Sequence, residues 1–439
     1  MNKGKLKKII VIVLMVILSY PLVELILPIK LAGAIHRSDQ VSNIEKFSFE
    51  SWTNASFQES FQNYINDNIG LFPLFIKIHN QLEYTLFENI HTGEIVTGKD
   101  NYLFESAYIT TYLGEDYLGL DEVKRQSAEI KELQDSLTKM GKSFVFCFAP
   151  GKPSYFPEKL PDLKEPDSTN YKAYKKEFEK RGINHLNGVK WFQQMKGNLG
   201  HYLFPKYGIH WSNYGAMIVT DSLVKYHERK FGWDLPNMKI ISTHESEHTR
   251  FYDNDIAHSM NLFQSVEPYP YMIYPEIIWE KRNDKHDKKK MLIIGDSFTW
   301  DIYLNSGVSD QSFDSTDLWY YNQMVNAEMT VEGDIIGRLP VLTRHLDLGK
   351  VLEDYDGIIV ISSEPNLTKL GWNIANDLLG NLKENKLRAT ERNNQYLLGL
   401  CKSKKEWKED LVDMAKTKGI SNDSMISIYL HDRTFNMTK

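Results

Sequence analysis

The first pattern along the chain is an unbroken apolar run. Ile9 to Leu27 holds one charged residue, Glu24, and follows Lys3, Lys5, Lys7 and Lys8. As a helix rising about 1.5 Å per residue, such a run extends roughly 28 Å, enough to cross a bilayer core. The lysines are expected to stay cytoplasmic, which places the rest of the chain outside. Ala32-Gly33-Ala34 offers a signal-peptidase site but lies far from the most apolar part of the run. An uncleaved signal anchor is therefore expected over a cleaved signal.

Helical spacing follows. Phe57, Phe61, Tyr64, Ile65 and Ile69 recur three and four residues apart, so Ser51 to Phe87 is predicted to be mostly helical, with Gly70 and Pro73 as an interruption. Ile95 to Phe104 reads as two short extended runs about a turn at Gly98-Lys99-Asp100-Asn101.

From Asp121 the pattern alternates between helices and apolar strands. Val123, Ile130, Leu133, Leu137 and Met140 share one helical face, which Gly141 ends. Phe144 to Ala149 is a strand, Tyr171 to Arg181 a helix, Ile183 to Leu186 a short strand and Asn213 to Lys230 a helix. Met291 to Ile294 and Gly357 to Ile361 are continuous apolar runs, the mark of strands covered on both faces. The alternation predicts an α/β fold, a mostly parallel sheet flanked by helices. Residues 1–37 are then a cytoplasmic tip and signal anchor, 38–120 a helical lead-in and 121–372 the α/β domain. An insertion over about 231–280 is expected to lie over the top of the sheet, and 373–439 form a small helical appendage.

A 42% apolar share allows a sizeable core. The net charge of −6, with basic residues scattered outside Lys281 to Lys290, gives no sign of a nucleic-acid partner. Cys147 lies within an apolar strand, where a thiol acts as a small hydrophobe; a disulfide with Cys401 is possible, but no framework depends on it.

Candidate chemistry gathers at two places. Met291 to Ile294 runs into Gly295-Asp296-Ser297-Phe298, which lifts a hydroxyl to the carboxyl edge of the sheet, beside backbone N–H groups. Ser297 is read as a nucleophile in preference to a structural turn, and Asp296 as a hydrogen-bonding turn residue. A serine needs a base, and the candidate is His210 in Gly208-Ile209-His210-Trp211-Ser212-Asn213, where Ser212 is suited to cap the following helix. Trp211 either packs the loop or walls a sugar ring. Lys152, after the first core strand, serves loop structure or substrate contact. His244-Glu245-Ser246-Glu247-His248 spells a zinc-protease motif, but its polar neighbours and the lack of a third ligand favour a surface loop, and no metal or cofactor is expected.

Together these blocks resemble the SGNH-hydrolase-like proteins of the alginate O-acetyltransferase group. Phe57 to Phe87, Gly98 to Phe104, Ala149 to Glu158, the His-Trp pair and Gly-Asp-Ser-Phe carry the resemblance, which covers roughly Ser51 to Asn366. It implies an SGNH-like fold and an extracytoplasmic enzyme of the cell membrane that moves acetyl groups onto exported polysaccharide. It also implies a multi-span membrane-bound O-acyltransferase as acetyl donor. Ser297 would be the nucleophile and His210 the base, while Trp211 and Lys152 stay candidate substrate contacts beside their structural readings. The family usually carries Asp-x-His-Trp, and Gly208 stands at the aspartate's place. Three readings stay open: a dyad oriented by a backbone carbonyl, Glu364 as substitute acid, or a weak site. Under the first two, an aspartate restored at 208 is expected to leave activity unchanged or raise it. Alternative functions are a carbohydrate esterase of the same fold and a non-catalytic polysaccharide-binding subunit.

Overall fold

The computed structural model describes residues 3–26, 35 and 44–383, apart from 69, 91–93, 162–165, 251, 265, 267–270, 326–327, 332–333, 339–340 and 344–347, and also 416, 421 and 425. The chain divides into two compact units, residues 1–95 with 254–267, and residues 96–253 with 268–439.

In the first unit the apolar run forms α1 (Lys3–Ile26), followed by α2 (Ser56–Asn68) and α3 (Phe72–Phe87). The last turns of α1 are tied to protein. Glu24 Oε2 accepts the Leu71 N–H at 2.8 Å, and Gly70 N–H donates to Pro21 O at 3.1 Å. Among the described residues no helix is long and apolar enough to cross a membrane. Asn80 on α3 donates to Met260 O at 2.8 Å, so part of the expected insertion belongs to this unit and not to the sheet.

The second unit holds α4 (Leu120–Lys139), β1 (Ser143–Ala149), α5 (Asn170–Arg181), β2 (His185–Asn187) and α6 (Asn213–Phe231). After these come β3 (Met238–Ser246), β4 (Met272–Trp279), β5 (Lys290–Gly295), β6 (Ser315–Tyr320), β7 (Met324–Val325), β8 (Val341–Leu342), β9 (Gly357–Ser363) and α7 (Ile374–Lys383). One seven-stranded sheet runs β8-β7-β6-β5-β9-β1-β2. Its five larger-order neighbours from β6 to β2 pair in parallel, while β7 and β8 run antiparallel. The sheet is therefore mixed. The reversal follows from the short turn Tyr321 to Gln323, too brief for a parallel crossover.

Strand alternation explains the continuous apolar runs. Phe144, Phe146, Phe148, Leu292, Ile294, Ile358 and Val360 face a core shared with Val123, Ile130 and Leu133 of α4. Val145, Cys147, Met291, Ile293, Ile359 and Ile361 face the opposite core with Ala216, Met217 and Val224 of α6. Cys147 is a free buried thiol, and Cys401 lies outside the described residues. Tyr102, Phe104 and Ile109 join that second core, so the α/β unit starts well before Asp121. Most of the proposed helical appendage after 383 also lies outside the described residues.

The insertion contributes a two-stranded hairpin, β3 with β4, outside the main sheet. The central strand β9 lies between β1 and β5, and the three carboxyl ends bring 149–152, 295–298 and 363–366 to one edge. Chain direction across the sheet switches at this point, where open α/β sheets form their crevices.

Candidate active site

β5 ends in glycine because nothing larger fits. A Cβ on Gly295 would lie 2.1 Å from Thr299 Cγ2 and 2.8 Å from Ile361 O. The turn that follows is locked by Asp296, which is fully buried. Its Oδ2 accepts from Ser363 N–H at 2.8 Å, Ser363 Oγ at 2.7 Å and Asn366 Nδ2 at 2.8 Å, and its Oδ1 from Phe298 N–H at 3.1 Å. Asp296 thus binds the Ser297 turn to the end of β9, which accounts for a buried carboxylate beside Ser297. Phe298, Thr299 and Trp300 N–H groups all have acceptors within the turn. Among the described residues, none accepts from the Ser297 N–H, which leaves that donor for a developing oxyanion.

His210 reaches the same place from the other side. Ser212 Oγ caps α6 through the Gly215 N–H at 3.1 Å, and Ser212 N–H donates to Leu203 O at 2.8 Å. The loop between is held short, and its imidazole packs on Phe298 with ring centres 5.0 Å apart and on Tyr252 at 5.8 Å. His210 Nε2 lies 2.7 Å from Ser297 Oγ. Both residues are half-buried, so the pair is within reach of a substrate. With a neutral imidazole protonated on Nδ1, the serine hydroxyl donates to Nε2, the geometry that activates a nucleophile.

Residues 95–303 match the family described as the SGNH hydrolase-like domain of the acetyltransferase AlgX. Over that stretch the chain is similar to an SGNH-hydrolase-like acetyltransferase domain. Among solved structures it is similar to the O-acetyltransferase domain of Pseudomonas putida AlgJ, at 14% identity over 65% of this chain and 100% of that one, TM-score 0.42. Bacillus cereus PatB1 matches at 14% identity over 63% and 98%, TM-score 0.40, and Pseudomonas aeruginosa AlgX at 13% over 65% and 68%, TM-score 0.40. No curated protein matches the chain.

Within this SGNH-type domain the other expected site residues take different places. Glu364 does not orient His210. Its Oε2 accepts the Gly151 N–H at 2.6 Å and its Oε1 the Ser154 Oγ at 2.9 Å, so it fastens the loop after β1. Burial pushes its carboxyl up to about 7, against the lowering effect of those two hydrogen bonds. Trp211 is fully buried against Phe298, 5.0 Å between ring centres, and Phe192, 6.0 Å. It supports the floor of the site and presents no face to a sugar. Lys152 is also buried, and its Nζ donates to Leu103 O at 2.6 Å, Lys206 O at 2.7 Å and Gly208 O at 2.9 Å. It is a clamp on the His210 loop and not a substrate contact.

Gly208 fills a tight place. A Cβ there would lie 2.6 Å from Pro205 Cγ and 3.0 Å from Asp253 O. The backbone of Asp253 takes up the room that a side chain at 208 would need. Asp253 is fully buried, and its Oδ1 accepts the Asn213 N–H at 3.2 Å at the amino end of α6, where a carboxylate is favoured. It thereby positions the segment that carries His210, a role hidden in a stretch that reads as a turn. The expected gain from an aspartate at 208 is thus reversed. Gly208→Asp is expected to destabilise the fold by about 1–3 kcal/mol through overpacking and to lower turnover. Thermal melting and ester turnover check this; wild-type values for both would refute it.

The His-Glu-x-x-His string also departs from expectation. His244 lies on strand β3, which ends at Ser246, and His248 lies beyond its end, whereas the zinc motif needs both imidazoles on one face of a helix. Among the described residues, no group of three or more His, Cys, Asp and Glu side chains is arranged to hold a metal.

Proposed function

We propose that the chain is a serine O-acetyltransferase that acetylates hydroxyl groups of an exported or cell-surface polysaccharide. The observation that carries the reading is the 2.7 Å contact of Ser297 Oγ and His210 Nε2 inside the family's domain. Ser297 Oγ attacks the carbonyl carbon of an acetyl donor while His210 Nε2 takes the hydroxyl proton. The carbonyl electron pair moves onto oxygen, beside the Ser297 N–H. Its return expels the leaving group, which takes the proton from His210 and leaves acetyl-Ser297. A sugar hydroxyl then attacks the acetyl carbon and gives its proton to His210. Collapse of that second intermediate frees the acetylated sugar and returns the proton to Ser297.

The test is mass spectrometry of the full chain after incubation with p-nitrophenyl acetate. Ser297 is expected to gain one acetyl group, and a hydroxyl acceptor to discharge it. Free acetate with no transfer to any sugar would make the protein an esterase, and an unmodified Ser297 would make it a binding subunit.

The same reading assigns the acetyl supply to a multi-span membrane-bound O-acyltransferase and places α1 at the membrane. Ile9 to Leu14 and Leu18 are exposed around α1, a surface that water does not favour, and the lysines precede it. The chain is expected to stay in carbonate-washed membranes, with its body digested by protease added to spheroplasts. Protection of the body would overturn this orientation.

A further inference from the structure

A cavity of about 460 Å³ opens among residues that follow β6 and β9 and the first half of α4. Neither Ser297 nor His210 lines it, yet it is bonded to the nucleophile turn twice. Tyr321 N–H donates to Gly295 O at 2.8 Å, and Asn366 Nδ2 donates to Asp296 Oδ2 at 2.8 Å. Its volume is that of a small-molecule site.

The lining has an uncommon make-up. Tyr321 and Trp372 stand edge to face, 5.5 Å between ring centres, amid the planar amides of Asn322, Gln323, Asn366 and Asn376. Trp372 and Tyr321 are half-buried, whereas Gln323 and Asn376 are exposed. Tyr321, Asn322, Trp372 and Asn373 all hold left-handed backbone, at φ 52°, 51°, 49° and 66°. Asparagine takes that conformation readily, but aromatic side chains rarely do, so Tyr321 and Trp372 each bring backbone strain to one wall of the cavity. Asn322 Nδ2 bonds Trp372 O at 3.1 Å and Asp377 Oδ2 at 2.7 Å, which ties the two left-handed pairs together.

From this we infer that the cavity is a subsite for uncharged sugar residues of the acceptor polymer. Aromatic faces take the apolar side of a pyranose ring, and planar amides offer a donor and an acceptor to neighbouring hydroxyls. Acid and base both line it, Glu129 with Arg125, paired at 2.5 Å, and Asp377 with Lys369, so the wall offers no single-signed field for a charged polymer. The inference rests on the acetyl-transfer reading for the identity of its ligand as acceptor. It adds that the polymer is gripped beside the nucleophile turn and not only at Ser297.

The test measures binding and chemistry separately, on the full chain in detergent. Titrations use a β-linked glucose hexasaccharide and a uronic-acid hexasaccharide. The glucose hexasaccharide is expected to bind, and the uronic-acid one to bind at least about tenfold more weakly. Trp372→Ala is expected to weaken glucose-hexasaccharide binding about tenfold, and Asn376→Trp, which blocks the cavity from an exposed helical position, to do the same. Both variants should raise KM for an oligosaccharide acceptor and leave p-nitrophenyl acetate acylation of Ser297 unchanged. Acylation of Ser297 with no hexasaccharide binding, equal binding of the charged hexasaccharide, or unaltered binding in Asn376→Trp would each overturn the subsite. Hexasaccharide binding lost in both variants, with Ser297 never acylated, would keep the subsite and remove the acetyl-transfer reading.

Discussion

Ser297→Ala and His210→Ala are each expected to abolish measurable acetyl transfer while the melting temperature stays at the wild-type value. Loss of a general base alone lowers such reactions by about 10²- to 10⁴-fold, and loss of the nucleophile removes the covalent route entirely. Neither change should disturb the fold. Ser297 is half-buried on a turn whose shape is set by Gly295 and Asp296, and the His210 ring lies at an edge against Phe298. The double variant is expected to fall no further than Ser297→Ala alone, because base and nucleophile act as one unit. Single-turnover rates with p-nitrophenyl acetate, with melting curves beside them, make the comparison. If Ser297→Ala still forms an acetyl adduct on its active-site peptide, another residue is the nucleophile. If His210→Ala keeps near-wild-type rates, the 2.7 Å contact is not a catalytic one.

Lys152→Met should have the largest effect on stability. Methionine keeps most of the side chain's length but gives the three carbonyls no donor. Lys206 O would retain the Leu103 N–H at 3.1 Å, which leaves Leu103 O and Gly208 O to lose their ammonium partner. An unsatisfied buried acceptor costs about 1–3 kcal/mol, offset in part because a buried ammonium no longer needs to be desolvated. A net loss of about 2–4 kcal/mol is expected, seen as a fall of several degrees in melting temperature. Turnover should fall further than stability explains when measured well below the variant's own transition. Gly208 is two residues from His210, and a loop released there misplaces the imidazole. A variant that melts and turns over like the wild type would show that the clamp is dispensable.

The parts of the fold legible in the sequence are those whose cause is local. Met291 to Ile294 and Gly357 to Ile361 read as strands because both of their faces are covered, so no polar residue interrupts them. Ser212 read as a cap because a hydroxyl before a helix has few other uses. The strand end and the His-Trp motif pointed to Ser297 and His210 as partners, and the two side chains lie 2.7 Å apart. The rest depends on distant partners. Lys152 bonds backbone carbonyls, which carry no residue identity, so nothing in the sequence distinguishes a clamp from a substrate contact. Asp253 closes on α6 from 40 positions away, in the room that a missing side chain at Gly208 leaves. The antiparallel edge was missed because β7 and β8 are two-residue strands, too short for any periodicity. His244 and Glu245 misled because a hairpin outside the core has little apolar alternation to mark it as extended.

The place of β9 in the sheet bears on how the chain must fold. Both of its neighbours, β1 and β5, come earlier in the chain, and it is the last of the seven strands to be made. Until Gly357 to Ser363 has emerged, β1 and β5 each present an unpaired, strongly apolar edge, the kind that pairs readily with other chains. Contacts such as Gly151 with Glu364, 213 positions apart, close only then. Such distant pairing is slow, since the loop entropy is lost before the contacts form. A chain synthesised amino end first therefore has no finished sheet until this last strand is made. The turn that carries Ser297, locked through Asp296 by Ser363 and Asn366, would take shape only at the end.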